Sequence, residues 1–325
     1  ATLCPADEVI RPAALAGTWY PADPGQLGAY LDTVLDQADA QAPPGRLRAL
    51  VVPHAGYRFS GATAAEAFSL VRGHAYRRVL ILAPSHRSPF HGLSIAPVQA
   101  YETPLGRVPL DGAAVAKLRA SALATGDPAA HVREHAIEIE LPMLQRALAP
   151  GWKLVPILVG QLAEDDYAAA AELLRPLVDE ATLVLVSTDF THYGARFGYR
   201  PFPLDAQTPG SIRSLDEGAL ERVAALDPQG LLAYRERTGI TVCGIRPLAL
   251  LLHLMETGGS VHRLAYATSG ELTGDYAHSV SYAALAVTTE GPDARSNGLG
   301  VGAASGGLAL LHRLAVLGVE EAVLG

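Results

Sequence analysis

Four short runs rich in branched apolar residues, at 49–53, 78–83, 153–159 and 183–187, alternate with stretches of helical pattern at 62–71, 112–120, 135–149 and 165–178. This alternation restricts the possible folds more than any other feature. Runs of this length in which nearly every residue is apolar suit strands buried on both faces. Strands separated by helices join through crossover connections, so the pattern predicts an α/β fold: a single domain with a mainly parallel central sheet flanked by helices. In such sheets, groups that meet a ligand collect where the strands run out into loops at the carboxyl edge. Residues 215–258 read as a further helical region, and 263–267 and 279–287 as two more strands. The expected organisation is an α/β domain over 1–290, a Gly/Ala/Ser-rich linker over 291–307 and an apolar C-terminal helix over 308–325.

Composition narrows the function. A chain of 325 residues, 49% of them hydrophobic, can bury a core large enough for one sizeable domain. A net charge of −8 argues against a nucleic-acid-binding face. Two cysteines are too few for a disulfide framework, and no basic-then-apolar leader pattern opens the sequence, so a cytoplasmic location is expected. No apolar run approaches the ~20 residues of a membrane helix. No GxGxxG or Walker A pattern sits at a strand–helix junction, so no nucleotide cofactor is expected.

Three loops carry metal-ligating side chains. His54 lies in Pro53-His54-Ala55-Gly56-Tyr57, His86 in Pro84-Ser85-His86 and Cys243 in Val242-Cys243-Gly244. Two imidazoles and a thiolate can bind a divalent metal and leave coordination positions open. No short ligand spacing supports the idea, so it needs a fold that joins residues 54, 86 and 243. Gly56 is expected to permit a tight turn, and the Ser85 hydroxyl or a nearby carbonyl to fix an imidazole tautomer. The alternatives are hydrogen-bonded structural histidines and a small buried cysteine. Cys4 is not taken as a ligand.

Further candidates follow the later strands. Asp189 and His192, three residues apart after a strand, suit a general acid or base (His192) and a carboxylate that orients it or a ligand histidine; a helix cap and a surface histidine are the alternative. In Glu134-His135-Ala136-Ile137-Glu138, His135 either points into a pocket with Glu138 as its partner or belongs to a solvated acidic helix start. Pro142 should kink or restart that helix. Trp19, Tyr57, Arg58, Tyr193 and Arg246 could line a pocket for a planar or anionic group, or simply pack. The segment 273–276 is a weaker pocket candidate. His74, His131, His253, His262, His278 and His312 read as structural or surface residues.

These motifs, with Arg11-Pro12-Ala13, Gly17-Thr18-Trp19-Tyr20-Pro21, Ser187-Thr188-Asp189-Phe190-Thr191-His192-Tyr193-Gly194 and Thr273-Gly274-Asp275-Tyr276, occur in an order that resembles the Memo family over about residues 10–290. In microbes this family is the middle member of the set named AmmeMemoRadiSam. Its fold is similar to that of class III extradiol dioxygenases, which implies the same α/β scaffold and pocket. The resemblance implies a metal, with Fe2+ expected and copper or zinc as alternatives, and Cys243 where those enzymes use a carboxylate. It implies a metal-dependent oxidoreductase that uses O2 on a small or peptide-borne phenolic substrate, with His192 handling protons. A non-catalytic metal or phosphopeptide binder, or a scaffold partner of a radical SAM enzyme and an AMMECR-type protein, are the other functions it allows.

Overall fold

The computed structural model describes residues 9–255 and 259–291, so most of the expected linker and the whole expected C-terminal helix lie outside the described residues. The chain enters through a short strand, β1 (Ile10–Arg11), and a helix, α1 (Pro24–Gln37), and then forms β2 (Arg46–Val52), α2 (Tyr57–Ser69) and β3 (Arg78–Pro84). Three short strands follow, β4 (Leu93–Ile95), β5 (Ala100–Thr103) and β6 (Gly106–Pro109), and then α3 (Gly112–Arg119), α4 (His135–Glu138) and α5 (Glu140–Ala147). Next come β7 (Lys153–Val159), α6 (Glu164–Leu174), β8 (Thr182–Ser187) and β9 (His192–Gly194). Three helices, α7 (Thr208–Ala224), α8 (Pro228–Thr238) and α9 (Ile245–Leu254), lead to β10 (Gly259–Thr268), α10 (Ser269–Thr273) and β11 (His278–Thr289).

The main sheet has the order β10-β11-β2-β8-β3-β7-β4. Its centre is parallel, β2 on β8, β8 on β3 and β3 on β7, whereas β10 on β11, β11 on β2 and β4 on β7 are antiparallel. The sheet is therefore mixed, and parallel pairing holds only its centre. The difference arises where the crossovers stop: Gly274 (φ 75°) turns the chain straight back from β10 into β11 through the single turn of α10, a connection too short for a parallel neighbour. Every residue of β8, and all but the first of β3 and β7, is buried. Since successive side chains point to opposite faces, both faces of the sheet centre are covered.

All four parallel strands run the same way, so their carboxyl ends share one edge. His54 follows β2, His86 follows β3, and Asp189 and His192 follow β8. The expected helix over 135–149 is divided in two at Ile139. The Ala136 carbonyl turns aside to accept from the Ser187 hydroxyl (2.6 Å), and Pro142 sits in the first turn of the restarted helix, where its missing N–H costs nothing. Helix α1 was not anticipated from the sequence. Its signals were Asp23, whose side chain caps the Gln26 N–H (2.8 Å), Pro24 in the first turn, and Leu27, Leu31, Val34 and Leu35 buried along one stripe. No helix among the described residues is long and apolar enough to cross a membrane.

A smaller sheet, β1-β5-β6, ties the N-terminal segment to the body. Behind it His131 is buried, taking the Tyr101 hydroxyl at Nδ1 and donating from Nε2 to the Ser94 carbonyl, each at 2.9 Å. Burial holds its pKa down to about 4. A histidine kept neutral in this way stabilises the fold fully above its unfolded value near 6.5, and that contribution is lost as pH falls toward about 4. Urea titrations between pH 7 and 4 should therefore show a smaller decline for His131→Gln than for the parent; equal slopes would exclude His131 as a source of the acid sensitivity.

Candidate metal centre

Cys243 reaches the sheet edge through a close approach. The Gly244 N–H donates to Thr188 Oγ1 (2.9 Å), and a Cβ added at Gly244 would overlap the Thr188 side chain and lie 3.0 Å from the Ser187 carbonyl. Only glycine lets the start of α9 rest on the end of β8. Gly244→Ala should cost about 1–3 kcal/mol, the usual scale for overpacking, and lower metal uptake by moving Cys243. Melting temperature and metal content check both effects, and an unchanged protein would refute the packing argument. Gly56 is different: with φ −53° and ψ 143° it caps α2 in an ordinary extended conformation, so the expected need for glycine's backbone freedom does not arise there.

The donor atoms converge. Cys243 Sγ lies 3.1 Å from His54 Nε2, and the ligand atoms of His54, His86 and Cys243 all fall within 4.8 Å of one another. A tetrahedral ion with metal–N near 2.0 Å and metal–S near 2.3 Å holds such donors about 3.5 Å apart, so the set fits a metal. Each imidazole is also oriented for ligation. His54 Nδ1 donates to Ser187 Oγ (2.8 Å), whose own hydrogen goes to the Ala136 carbonyl. His86 Nδ1 donates to Glu134 Oε1 (2.9 Å), while Glu134 Oε2 accepts the His86 backbone N–H (2.6 Å). With Nδ1 committed in each ring, Nε2 is the nitrogen left to a metal, as in metal-binding histidines, and ligation at His86 would displace the proton it holds there. Ser85 plays no such part, because its hydroxyl is spent on the Ser88 carbonyl (2.8 Å). Glu134 and Ser187 were quoted in the sequence motifs without these roles, since only the fold reveals what they face.

The electrostatics follow from burial. Desolvation and the neighbouring imidazoles hold His54 well below the usual histidine range. Burial also pulls His86 down, but hydrogen bonds and charge attraction from Cys243 and Glu134 prevail and raise it to about 10. Glu134 would be raised by burial, yet its hydrogen bond and attraction to His86 bring it to about 2. His135 is lowered to about 3 by burial and by repulsion from His86. It stacks on His86 with ring centroids 4.3 Å apart and against Trp19 at 4.6 Å, so it belongs to the wall of the site.

The other predicted residues separate into two groups. His192 is half-buried beside the centre, close enough for charge on His86 to lower it; burial is the main cause of its fall to about 4. Its Nδ1 donates to the Phe190 (2.9 Å) and Thr241 (3.1 Å) carbonyls, which leaves Nε2 as an acceptor. Asp189 does not orient it. That carboxylate lies inside the wall, where it accepts the His54 backbone N–H (2.8 Å), and burial raises its pKa to about 7. Glu138 is no partner of His135: it is fully buried, 2.5 Å from Arg11, and takes the Tyr20 hydroxyl (2.6 Å) and the Ala14 and Leu15 N–H groups. Tyr193 is fully buried, with its hydroxyl on the Phe202 carbonyl, and Tyr57 spends its own on the Ile139 carbonyl. Arg58 is exposed above the Phe59 ring. The segment 273–276 forms the turn into β11.

A cleft of about 230 Å³ opens beside His86 and Cys243 and is also lined by Arg87, Gln161 and Arg246. Arg246 is half-buried, no carboxylate pairs with it among the described residues, and burial and the charge of Arg235 both lower its pKa. A cation in that situation favours an anion.

The family model described as Memo-like protein matches residues 11–286. A MEMO1 family protein of Methanopyrus kandleri is 33% identical over 292 residues, covering 85% of this chain and 98% of that protein. Protein MEMO1 of Danio rerio is 34% identical over 296 residues (86% and 97%), and Protein MEMO1 of Homo sapiens 33% identical over 297 residues (86% and 98%).

Proposed function

The chain belongs to the Memo-like protein family, and from that membership and its three convergent donors we propose that it is a metal-dependent oxidoreductase acting with O2 on a small or peptide-borne phenolic substrate. The observation that carries the reading is the pair of Nδ1 hydrogen bonds that leave Nε2 of His54 and of His86 as the ligating nitrogens beside the Cys243 sulfur. These three residues would hold the metal. Iron is the ion we expect, with copper or zinc as alternatives, since imidazole and thiolate suit all three. A bound metal supplies a Lewis acid, and in the case of iron or copper also an electron donor, for O2 and the phenolic oxygen.

The protein's own groups do the rest. His192 is neutral at pH 7 and presents Nε2, so it can take a phenolic proton and return it later. Arg246 suits an anionic group at the cleft end, and His135, stacked between His86 and Trp19, backs the wall behind it. His86 retains 27% of its side-chain exposure, so the site can be reached by a residue carried on a peptide. The unpaired Arg246 also favours a second reading, a binder of anionic peptides without turnover. Protein purified without oxygen should contain stoichiometric iron and consume O2 with some member of a panel of catechols, phenols and tyrosyl peptides. Metal uptake and ligand binding with no O2 consumption would favour the binder.

A further inference from the structure

Thr241 stands two residues before Cys243, on the loop 240–244 that leads from α8 into α9. That loop lies along the segment 188–192, which leads from β8 into β9, and the two are joined through side chains in opposed order. The Gly244 N–H donates to Thr188 Oγ1 (2.9 Å), the Asp189 N–H donates to Cys243 Sγ (3.1 Å), and at the far end His192 meets Thr241. Ile240 and Val242, on either side of Thr241, are buried in the core.

The contact between Thr241 and His192 has three points. The His192 N–H donates to Thr241 Oγ1 (2.8 Å), and the Thr241 hydroxyl donates to the His192 carbonyl (3.1 Å). A hydroxyl has one hydrogen and two lone pairs, so both bonds form at once. The third point is the ring, whose Nδ1 donates to the Thr241 carbonyl (3.1 Å) as well as to that of Phe190 (2.9 Å). Backbone and imidazole of His192 are thus held by one residue. Only Val242 separates Thr241 from Cys243, and its burial makes the short loop leave the body as a unit. An opening that frees His192 from Thr241 therefore also carries off the Cys243 sulfur. An ion that binds only the closed form opposes that opening, and the coupling is reciprocal.

We infer that Thr241 is a positioning residue: its hydroxyl ties His192 to the loop that carries Cys243, so that a metal held at Cys243 also fixes the ring beside it. The benefit to proton transfer, and the part a metal plays, rest on the function proposed above; the tie between His192 and the Cys243 loop does not.

The test uses the full chain with 15N-labelled histidine, the His192 amide being assigned by its loss in His192→Gln. Without metal, hydrogen exchange of this amide should be equally slow in the parent and in Thr241→Ser, which keeps the hydroxyl. In Thr241→Val, which keeps the shape alone, it should be about tenfold faster or more, the scale of two lost hydrogen bonds. Zn2+ alone, at about 100 times its dissociation constant, should slow the exchange about 100-fold further in the parent and in Thr241→Ser, because the opening that exposes the amide also releases the ion. Thr241→Val should show no such response, since its amide is unpaired even in the closed form. Alkylation of Cys243 without metal, in a Cys4→Ala background, should also be about tenfold faster in Thr241→Val and unchanged in Thr241→Ser. An exchange rate that bound Zn2+ leaves unmoved in the parent, a Thr241→Ser protein that behaves like Thr241→Val, or Cys243 alkylated at the parent rate in Thr241→Val would overturn the inference. A parent that binds no Zn2+ would sink the metal reading, and the metal-free exchange and alkylation rates would then decide this one.

Discussion

Replacing His54, His86 or Cys243 with alanine should each abolish stoichiometric metal binding, whereas Cys4→Ala should leave it intact. The three side chains supply the donors gathered within 4.8 Å, and no fourth residue belongs to that set among the described residues. Loss of a supporting residue alone costs about 10–100-fold in metal affinity, so loss of a donor should cost more. Elemental analysis after equilibrium dialysis against Fe2+ or Zn2+ reads the outcome directly. The His86 and Cys243 variants should also remain folded, since those residues line the cleft rather than the core, and for these and the buried His54 circular dichroism would separate lost binding from lost structure. Four folded proteins with equal metal content would remove the site.

His192→Ala should keep its metal and lose about 10²-fold or more in turnover, the scale on which a general acid or base contributes. Its Nδ1 is committed to two backbone carbonyls and its Nε2 is free, so the ring is fixed in place for proton transfer without serving as a ligand. The pH profile adds a sign. With a pKa near 4 in the protein, the parent should hold its base form through neutral pH and lose activity only as pH falls toward that value. The measurement is O2 consumption by the iron-loaded protein and its variant across pH. Equal turnover in both would eliminate His192 as the proton carrier, while a parent inactive toward every phenol and peptide, with ligand affinity changed in the variant, would favour the binding module.

Local sequence determined the central strands and most of the helices, because runs such as 78–83 and 183–187 carry enough branched apolar residues to be buried wherever they lie. It also determined that His54, His86 and Asp189 stand at strand ends, since Pro53 and Pro84 close β2 and β3. Tertiary structure decided what these groups meet. Cys243 is 189 residues from His54, and its arrival depends on Gly244 fitting against Thr188, a contact with no local signature. Glu138 and Glu134 sit four residues apart in one motif, yet one is spent on Arg11 and the other on His86. The difference lies in which distant segment packs against each carboxylate: β1 delivers Arg11 to one, and the loop after β3 delivers His86 to the other. Hydrogen-bond partners separated by more than a hundred residues, such as Ser187 and His54, are set by strand order and register, and neither can be read from spacing along the chain.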